Sequence, residues 1–466
     1  MRVMSLQQLA DIVHGHHIGA DACFDAISTD TRSLKKGELF VALQGENFDA
    51  NDFVAQAKSK GAIAALISND VAVDMPYVNV NDTLSALTTL AKQQRELAGI
   101  PLVAITGSNG KTSVKEMLAS ILNRSHKVLA TAGNLNNQIG VPLTLLKLNE
   151  HHDIAVIEMG ASQQGDIAEL CEIAEPTVVI LNNAGAAHLA GFGDIESVAT
   201  AKGEIISGLS RNGTAVLNKE EPWFDQWLEL LDGRELISFG ASNQADVWAN
   251  LGDVTTGLVD GQFTTRFILH YQQQCIDINL RLIGKHNVLN ALAAAAAAIS
   301  LNVSMDDIRD GLAALKPVNG RMQPLTSIAG GMVINDCYNA NPKSFDAAMS
   351  CLADINQPVC LVLGDFAELG NDSEQIHQQL GQSIFNSDVH RFYAVGSEMK
   401  FAVNEFNRLS TSTRTKARHF DSKQALSDHL LGELTADMVV LVKGSRSQGL
   451  ESIVEKITIK ESGECC

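Results

Sequence analysis

Two glycines, a lysine and a threonine stand at a spacing suited to holding phosphate in LVAITGSNGKTSVKEML, residues 102–118. The apolar run Leu102–Ile105 predicts a strand and the stretch from Ser113 predicts a helix. Gly107, Ser108, Asn109, Gly110, Lys111, Thr112 and Ser113 therefore make the turn between them. At such a turn, backbone N–H groups and the positive end of the helix face anionic oxygens, and glycine lets the main chain come close. Lys111 would stand between β- and γ-phosphates, and the Thr112 hydroxyl would meet Mg²⁺. The loop is shorter than the usual G-x-x-x-x-G-K-[ST], because Ile105 stands five before Gly110 and Gly107 is the nearer glycine. A Gly-rich turn carrying a chance lysine is the bland alternative.

Other polar residues fall just after apolar runs. Glu158 follows DIAVI, where it could join the Mg²⁺ shell beside Thr112 or simply cap the next helix. His188 could bind a cation as a neutral imidazole or serve structure alone. Lys202, in SVATAKGEI, reads by spacing as a surface helix lysine. Asn287 and Asn290 lie three apart on one helix face, where carboxamides can read an adenine edge or cap the helix. Arg321 and Asp336 could hold ribose or phosphate. Tyr338, Asn339 and Asn341 form a polar loop before Pro342, and Lys443-Gly444-Ser445-Arg446 puts two cations on a turn suited to a carboxylate or phosphate. Asp30 and Arg32 could touch a phosphate or a base edge, or make a solvated turn.

The elements that must position these residues read as α/β throughout. At 466 residues the chain is too long for one core, and 45% hydrophobic residues exclude global disorder. A net charge of −19 argues against general nucleic-acid or anionic-membrane binding. No apolar run approaches the ~20 residues of a membrane span and no secretory signal opens the chain, so a cytoplasmic protein is expected. Eight cysteines without a C-x-x-C pair predict reduced thiols.

Residues 1–83 predict a small α/β domain with strands near 38–43 and 62–67 and a helix over 52–60. A helix over 82–98 leads into a central domain, 84–315, with strands near 128–131, 154–157, 178–181 and 215–218. Their continuous Val/Ile character predicts a mostly parallel sheet covered on both faces, with ligands at its carboxyl ends. Residues 237–284 predict an antiparallel excursion, and KHNVLNALAAAAAAISL a strong helix. Lys316-Pro317 marks a boundary before a third α/β domain, 316–466. Hinges are expected near Leu84 and Pro317.

ITGSNGKTSVKEM, EMG, NNAGAAHL, AKGEI, GKHNVLNALAA, GRM, NDCYNANP and VKGSR occur in the order found in the Mur ligases, ATP-dependent amide-forming enzymes of peptidoglycan assembly. The chain resembles that family over its whole length, STDTRSLKKGELFVAL and FDANDF included. GNLNNQIGVPLTLL, DCYNANP and GDFAELG are similar to the branch that takes a D-alanyl-D-alanine dipeptide. The D-N-P-R motif of the branch adding the third amino acid is absent.

The resemblance implies a central P-loop ATPase domain between an N-terminal domain for a UDP-sugar peptide and a C-terminal Rossmann-like domain that closes over the site. It implies ATP and Mg²⁺ as cofactors, UDP-MurNAc-tripeptide and D-Ala-D-Ala as substrates, and a monomer. Lys111, His188 and Lys202 would be catalytic, with Thr112 and Glu158 on one Mg²⁺ and His188 with a carbamylated Lys202 on another. Asn287, Asn290, Arg321 and Asp336 would hold adenine and ribose. Asn134, Asn136 and Asn137 would face the UDP-tripeptide, and Tyr338, Asn339, Asn341, Ser445 and Arg446 the dipeptide. A folylpolyglutamate-type ligase and a slow nucleotide-driven switch are the rival functions.

Overall fold

Alternation within fully buried strands gives the central part of the chain two cores. Every residue of the strands Leu102–Thr106, Ile154–Glu158 and Val178–Leu181 is buried. Leu102, Ala104, Ala155, Ile157, Val179 and Leu181 enter one apolar cluster. Val103, Ile105, Ile154, Val156, Val178 and Ile180 enter another on the opposite face. This is the pattern of a parallel sheet covered on both sides. The computed structural model describes residues 1–45, 48–69, 73–185, 189–259, 261–353, 355, 357–387, 389–410 and 417–459.

In the central sheet the strands run Val128–Ala130, Ile154–Glu158, Leu102–Thr106, Val178–Leu181, Thr214–Asn218, Glu235–Gly240 and Val247–Trp248, all parallel. The chain leaves Leu102–Thr106 towards one side first and later returns to its other side. Its carboxyl end is therefore a switch point, where a crevice opens. The antiparallel part is smaller than expected: Glu235–Gly240 and Val247–Trp248 still pair parallel with each other, and antiparallel pairing begins where Gln262–Tyr271 meets Val247–Trp248, Thr255–Val259 and Gln274–Leu280. Helix Lys285–Ser300 presents Ala291–Ala298, each of them fully buried, to the sheet and to helix Lys111–Leu122. Methyl side chains allow that close approach.

Helix Lys111–Leu122 begins at Lys111, ahead of the Ser113 start predicted. Gly110 supplies the reason, since its φ of 83° turns the chain directly into the first helical turn.

Ahead of this sheet stands a smaller one, ordered His16–Ile18, Tyr77–Asn79, Ala64–Ile67, Leu39–Val41 and Ile27–Ser28. Leu6, Leu39, Leu66 and Val78 of this part share one apolar cluster with Ala86, Leu87, Leu90 and Leu102. Helix Thr83–Ala98, capped by Asp82 at 2.8 Å from the Leu84 N–H, is the shared wall. Leu84 thus lies in a regular helical turn rather than at a loose joint. The last sheet runs Gln323–Thr326, Met332–Asp336, Val439–Lys443, Val359–Gly364, Arg391–Val395 and Arg418–Phe420, parallel except for its first strand. Each of its faces carries an apolar cluster, one of which also takes in Phe263 and Ile283 from the middle of the chain. No helix among the described residues is long and apolar enough to cross a membrane, and the six described cysteines are free thiols.

Candidate active site

The loop after Leu102–Thr106 is held open by side chains from neighbouring strand ends. Ser108 N–H donates to the Asn183 carbonyl at 3.0 Å, and Ser108 Oγ to that of Gly185 at 3.0 Å. Asn109 N–H donates to Asn183 Oδ1 at 2.9 Å. A Cβ on Gly110 would stand 2.4 Å from Asn290 Oδ1 and 2.5 Å from Asn182 Nδ2, so only glycine fits. Lys111 Nζ folds onto the Gly107 carbonyl at 2.6 Å. Desolvation lowers its pKa, with Arg321 adding to the effect and Glu158 opposing it. A cation held this way gains by meeting an anion.

Asn290 is drawn into that scaffold. Asn182 Nδ2 donates to Asn290 Oδ1 at 2.9 Å, Asn290 Nδ2 to Asn287 Oδ1 at 3.1 Å, and Asn287 Nδ2 to the Ile283 carbonyl at 2.8 Å. Asn218 Nδ2 holds the Asn182 carbonyl at 3.0 Å. This carboxamide chain ties helix Lys285–Ser300 to the phosphate loop, a task beyond the base reading expected of Asn287 and Asn290.

Thr112 Oγ1 donates to Glu158 Oε2 at 3.0 Å, and Asn136 Nδ2 to Glu158 Oε1 at 2.8 Å. Hydroxyl and carboxylate are the hard oxygen donors Mg²⁺ takes, and it keeps waters and phosphate oxygens for its remaining positions. Among the described residues no group of three His, Cys, Asp or Glu side chains converges. A cation here would therefore complete its shell from the ligand.

The opposite wall comes from the last part of the chain. Arg321 Nη2 donates to Thr112 Oγ1 at 3.2 Å, while its buried Nε has no hydrogen-bond partner. An unsatisfied guanidinium donor beside a phosphate loop fits an anionic ligand. The Tyr338 ring lies between the guanidiniums of Arg321 at 4.4 Å and Arg446 at 5.6 Å. Asn341, which caps helix Pro342–Leu352, donates to Asn109 Oδ1 at 2.9 Å. Asp336 accepts from Lys443 Nζ at 2.6 Å and from the Met322 N–H at 3.1 Å. Ser445 Oγ accepts from the Ala367 N–H at 2.8 Å, and Asn339 Oδ1 from the Ala340 N–H at 2.9 Å. Between the walls lies a cleft of about 710 Å³, lined by both sets and by Asn134, Asn136 and Asn137.

Not every expected residue lies there. Asp30 and Arg32 do not line the cleft; they form a two-pronged ion pair with each other, the closest contact 2.7 Å, near the surface. His188 lies outside the described residues. Lys202 corrects the surface reading taken from its spacing: on helix Ile195–Ser207 it is only 2% exposed. Burial, with Lys111 nearby, pushes its amine down to about 7.

Several cleft residues were missed. Glu221 Oε2 accepts the Ala184 N–H at 3.0 Å, and Oε1 stands 3.8 Å from Lys343 Nζ. Burial raises its pKa against both of these partners. Gln138 donates to Asp166 at 3.0 Å beside the Asn134–Asn137 loop. His286 also lines the cleft. Glu221 follows the strand Thr214–Asn218, so the rule of strand carboxyl ends could have found it; His286 carries no such signal.

Three family descriptions match: Mur ligase family, catalytic domain, over residues 24–97; Mur ligase middle domain over 105–298; and Mur ligase, glutamate ligase domain, over 320–446. The chain is 42% identical over 464 residues to the UDP-N-acetylmuramoyl-tripeptide--D-alanyl-D-alanine ligase of Escherichia coli (strain K12), covering 99% of each chain. Among solved structures it is similar to MurF from Acinetobacter baumannii, with a TM-score of 0.87, 34% identity, and 97% and 98% of the two chains covered. The MurF ligase from Thermotoga maritima in complex with ADP gives a TM-score of 0.78, 28% identity and coverage of 92% and 96%.

Proposed function

This chain belongs to the Mur ligase family, and from that premise we infer that its cleft uses ATP to join D-alanyl-D-alanine to UDP-N-acetylmuramoyl-tripeptide. The observation that carries this reading is the convergence of a phosphate loop, a hydroxyl–carboxylate pair and an arginine-rich wall on one cleft. Full-length identity to relatives named for this reaction weighs against the folylpolyglutamate rival.

A carboxylate resists attack by an amine, so amide formation needs a better leaving group. Moving the γ-phosphoryl of ATP onto the peptide carboxylate makes an acyl phosphate, with ADP leaving. The dipeptide amine then adds, and phosphate departs from the tetrahedral intermediate as the amine's proton is lost. Lys111 and Arg321 stabilise charge on the transferred group, and the N–H groups that open helix Lys111–Leu122 hold the phosphates, those of Ser108 and Asn109 in the loop being engaged with Asn183. The asparagine chain keeps that loop from moving when its ligand changes charge. Thr112 and Glu158 would hold Mg²⁺, which supplies further charge neutralisation. The two walls exclude water that would hydrolyse the acyl phosphate.

Residues 1–83 with Asp30 and Arg32 serve the UDP end, residues 84–315 the nucleotide, and residues 316–466 the dipeptide. On this assignment Asn134, Asn136 and Asn137 face the tripeptide, and Tyr338, Asn339, Asn341, Ser445 and Arg446 the dipeptide. Asn287, Asn290 and Asp336 lie on the nucleoside side. The protein works as a cytoplasmic monomer.

Lys202, as its carbamate, would hold a second cation with His188. An amine lowered to about 7 is partly neutral at physiological pH, and a neutral amine adds CO₂ to give a carbamate and a proton. Carbon-13 NMR with labelled bicarbonate should show one carbamate signal that Lys202→Ala removes; its absence in the wild type would end this assignment.

The decisive assay mixes the pure protein with ATP, D-Ala-D-Ala and a tripeptide ending in diaminopimelate or lysine, and follows phosphate and product mass together. Phosphate release should require both acceptor and dipeptide and match amide formed. Lys111→Ala should lose at least ~10²–10³-fold in turnover. Phosphate released without amide would instead support the nucleotide-driven switch.

A further inference from the structure

Lys115 is a lysine buried to 1% exposure in the phosphate helix, three residues after Thr112, and the mechanism above does not use it. Its Nζ donates to the Thr131 carbonyl at 2.6 Å and pairs with Glu116 Oε1 at 2.7 Å. Thr131, just past the strand Val128–Ala130 and equally buried, accepts the Glu158 N–H on its Oγ1 at 2.9 Å. Its own N–H goes to the Val156 carbonyl at 3.0 Å. Five residues on, Asn136 returns to the same strand end: its Nδ2 meets Glu158 Oε1 at 2.8 Å and its carbonyl accepts the Gly160 N–H at 2.8 Å.

The loop that bears Asn134–Asn137 is thus fastened at both ends to the neighbourhood of Glu158. Lys115 joins that fastening to the helix carrying Lys111 and Thr112 through Thr131, a second tie beside the direct bond from Thr112 to Glu158. Burying an ammonium is costly, and an apolar side chain of similar length often serves stability as well or better. Packing is therefore a poor reason for a lysine here, whereas a rigid link between two halves of a cation site is a good one.

We propose that Lys115 is a positioning residue that sets the Glu158 carboxylate against Thr112 through Thr131, and so governs the affinity of the site for its divalent cation. The proposal rests on the assignment of Glu158 to that cation. It predicts an effect on cation affinity from a side chain that never touches the cation, through a hydrogen-bond path of two links.

The test uses the full-length protein saturated with a non-hydrolysable ATP analogue. Mn²⁺ is titrated and free metal is read by electron paramagnetic resonance; the Mg²⁺ concentration giving half-maximal ligase rate is measured in parallel. Lys115→Met should weaken Mn²⁺ binding about tenfold or more, the scale typical of groups that orient metal ligands. Thr131→Val should weaken it in the same direction, while Thr131→Ser, which keeps the hydroxyl, should bind as the wild type does. Glu158→Gln should weaken binding too, and adding Lys115→Met to it should cost nothing more. Wild-type Mn²⁺ affinity in Lys115→Met and Thr131→Val, with Glu158→Gln still impaired, would overturn the role of Lys115 and leave Glu158 in place. Unchanged affinity in Glu158→Gln would remove both. Should Lys115→Met fail to fold, the Thr131 pair carries the decision, because a packing role alone would not distinguish serine from valine by cation affinity.

Discussion

His286 shows how much one half-buried side chain can make of the pH. It lies on the first turn of helix Lys285–Ser300 and faces the cleft, and burial pushes its imidazole down to about 4, with Asp336 opposing and Lys443 assisting. The unfolded chain takes up a proton near pH 6.5 that the folded chain refuses until about pH 4. Stability contributed by the neutral ring is complete above pH 6.5 and falls as the pH drops between those values, by an amount on the order of 3 kcal/mol. Urea unfolding at pH 7 and pH 4.5 should show His286→Gln losing less stability on acidification than the wild type; equal losses would mean the ring titrates normally. The residues legible in the sequence were those whose partners are close in the chain. Gly107–Ser113 sit on one loop, and their types alone announce phosphate. Lys202 was not legible by spacing because its burial comes from elements the sequence does not show beside it, and Lys115 was hidden in the same way by Thr131.

At the scale of elements, continuous Val/Ile runs disclosed the central strands because burial on both faces leaves no polar position to blur them. Gln323–Thr326 went unseen, since it is short, contains Pro324 and lies at an edge where pairing comes only from Met332–Asp336. The helix expected over 52–60 is divided into a 3₁₀ turn, Ala50–Phe53, and helix Val54–Ser59. Asp49 causes this by accepting the Asn51 N–H at 2.9 Å and starting the turn early. Asn287 and Asn290 were correctly placed on one helix face. Their engagement with Asn182 was invisible, because that partner arrives from another strand end.

The last part of the chain meets the middle through the apolar cluster that takes in Phe263 and Ile283 and through a few polar contacts. These are Arg321 with Thr112, Asn341 with Asn109, and Lys343 with Glu221. Each is worth about 0.5–1.5 kcal/mol or less, since a hydrogen bond mostly replaces one to water and the Lys343 ammonium, 3.8 Å from Glu221, is itself exposed. Asn341→Asp, which keeps the helix cap but loses the Nδ2 donor, combined with Lys343→Ala should therefore leave thermal unfolding nearly unchanged while loosening this arrangement. Small-angle scattering of the nucleotide-free protein should then give a larger radius of gyration, and saturating nucleotide analogue should reverse it. A radius equal to that of the wild type would show that other contacts hold the walls together.

The apolar cluster running without a break from Leu6 through Leu87 to Leu102 has a consequence for how this chain can be taken apart. A fragment ending near residue 83 would turn Leu39, Leu66 and Val78 out to solvent, and a fragment beginning there would strip the covering from helix Thr83–Ala98. The final third has an interior on each face of its sheet, and only Phe263 and Ile283 of the middle part enter one of them. It is the piece that could be grafted, exchanged or swung as a unit, while the first two thirds must be inherited and move together.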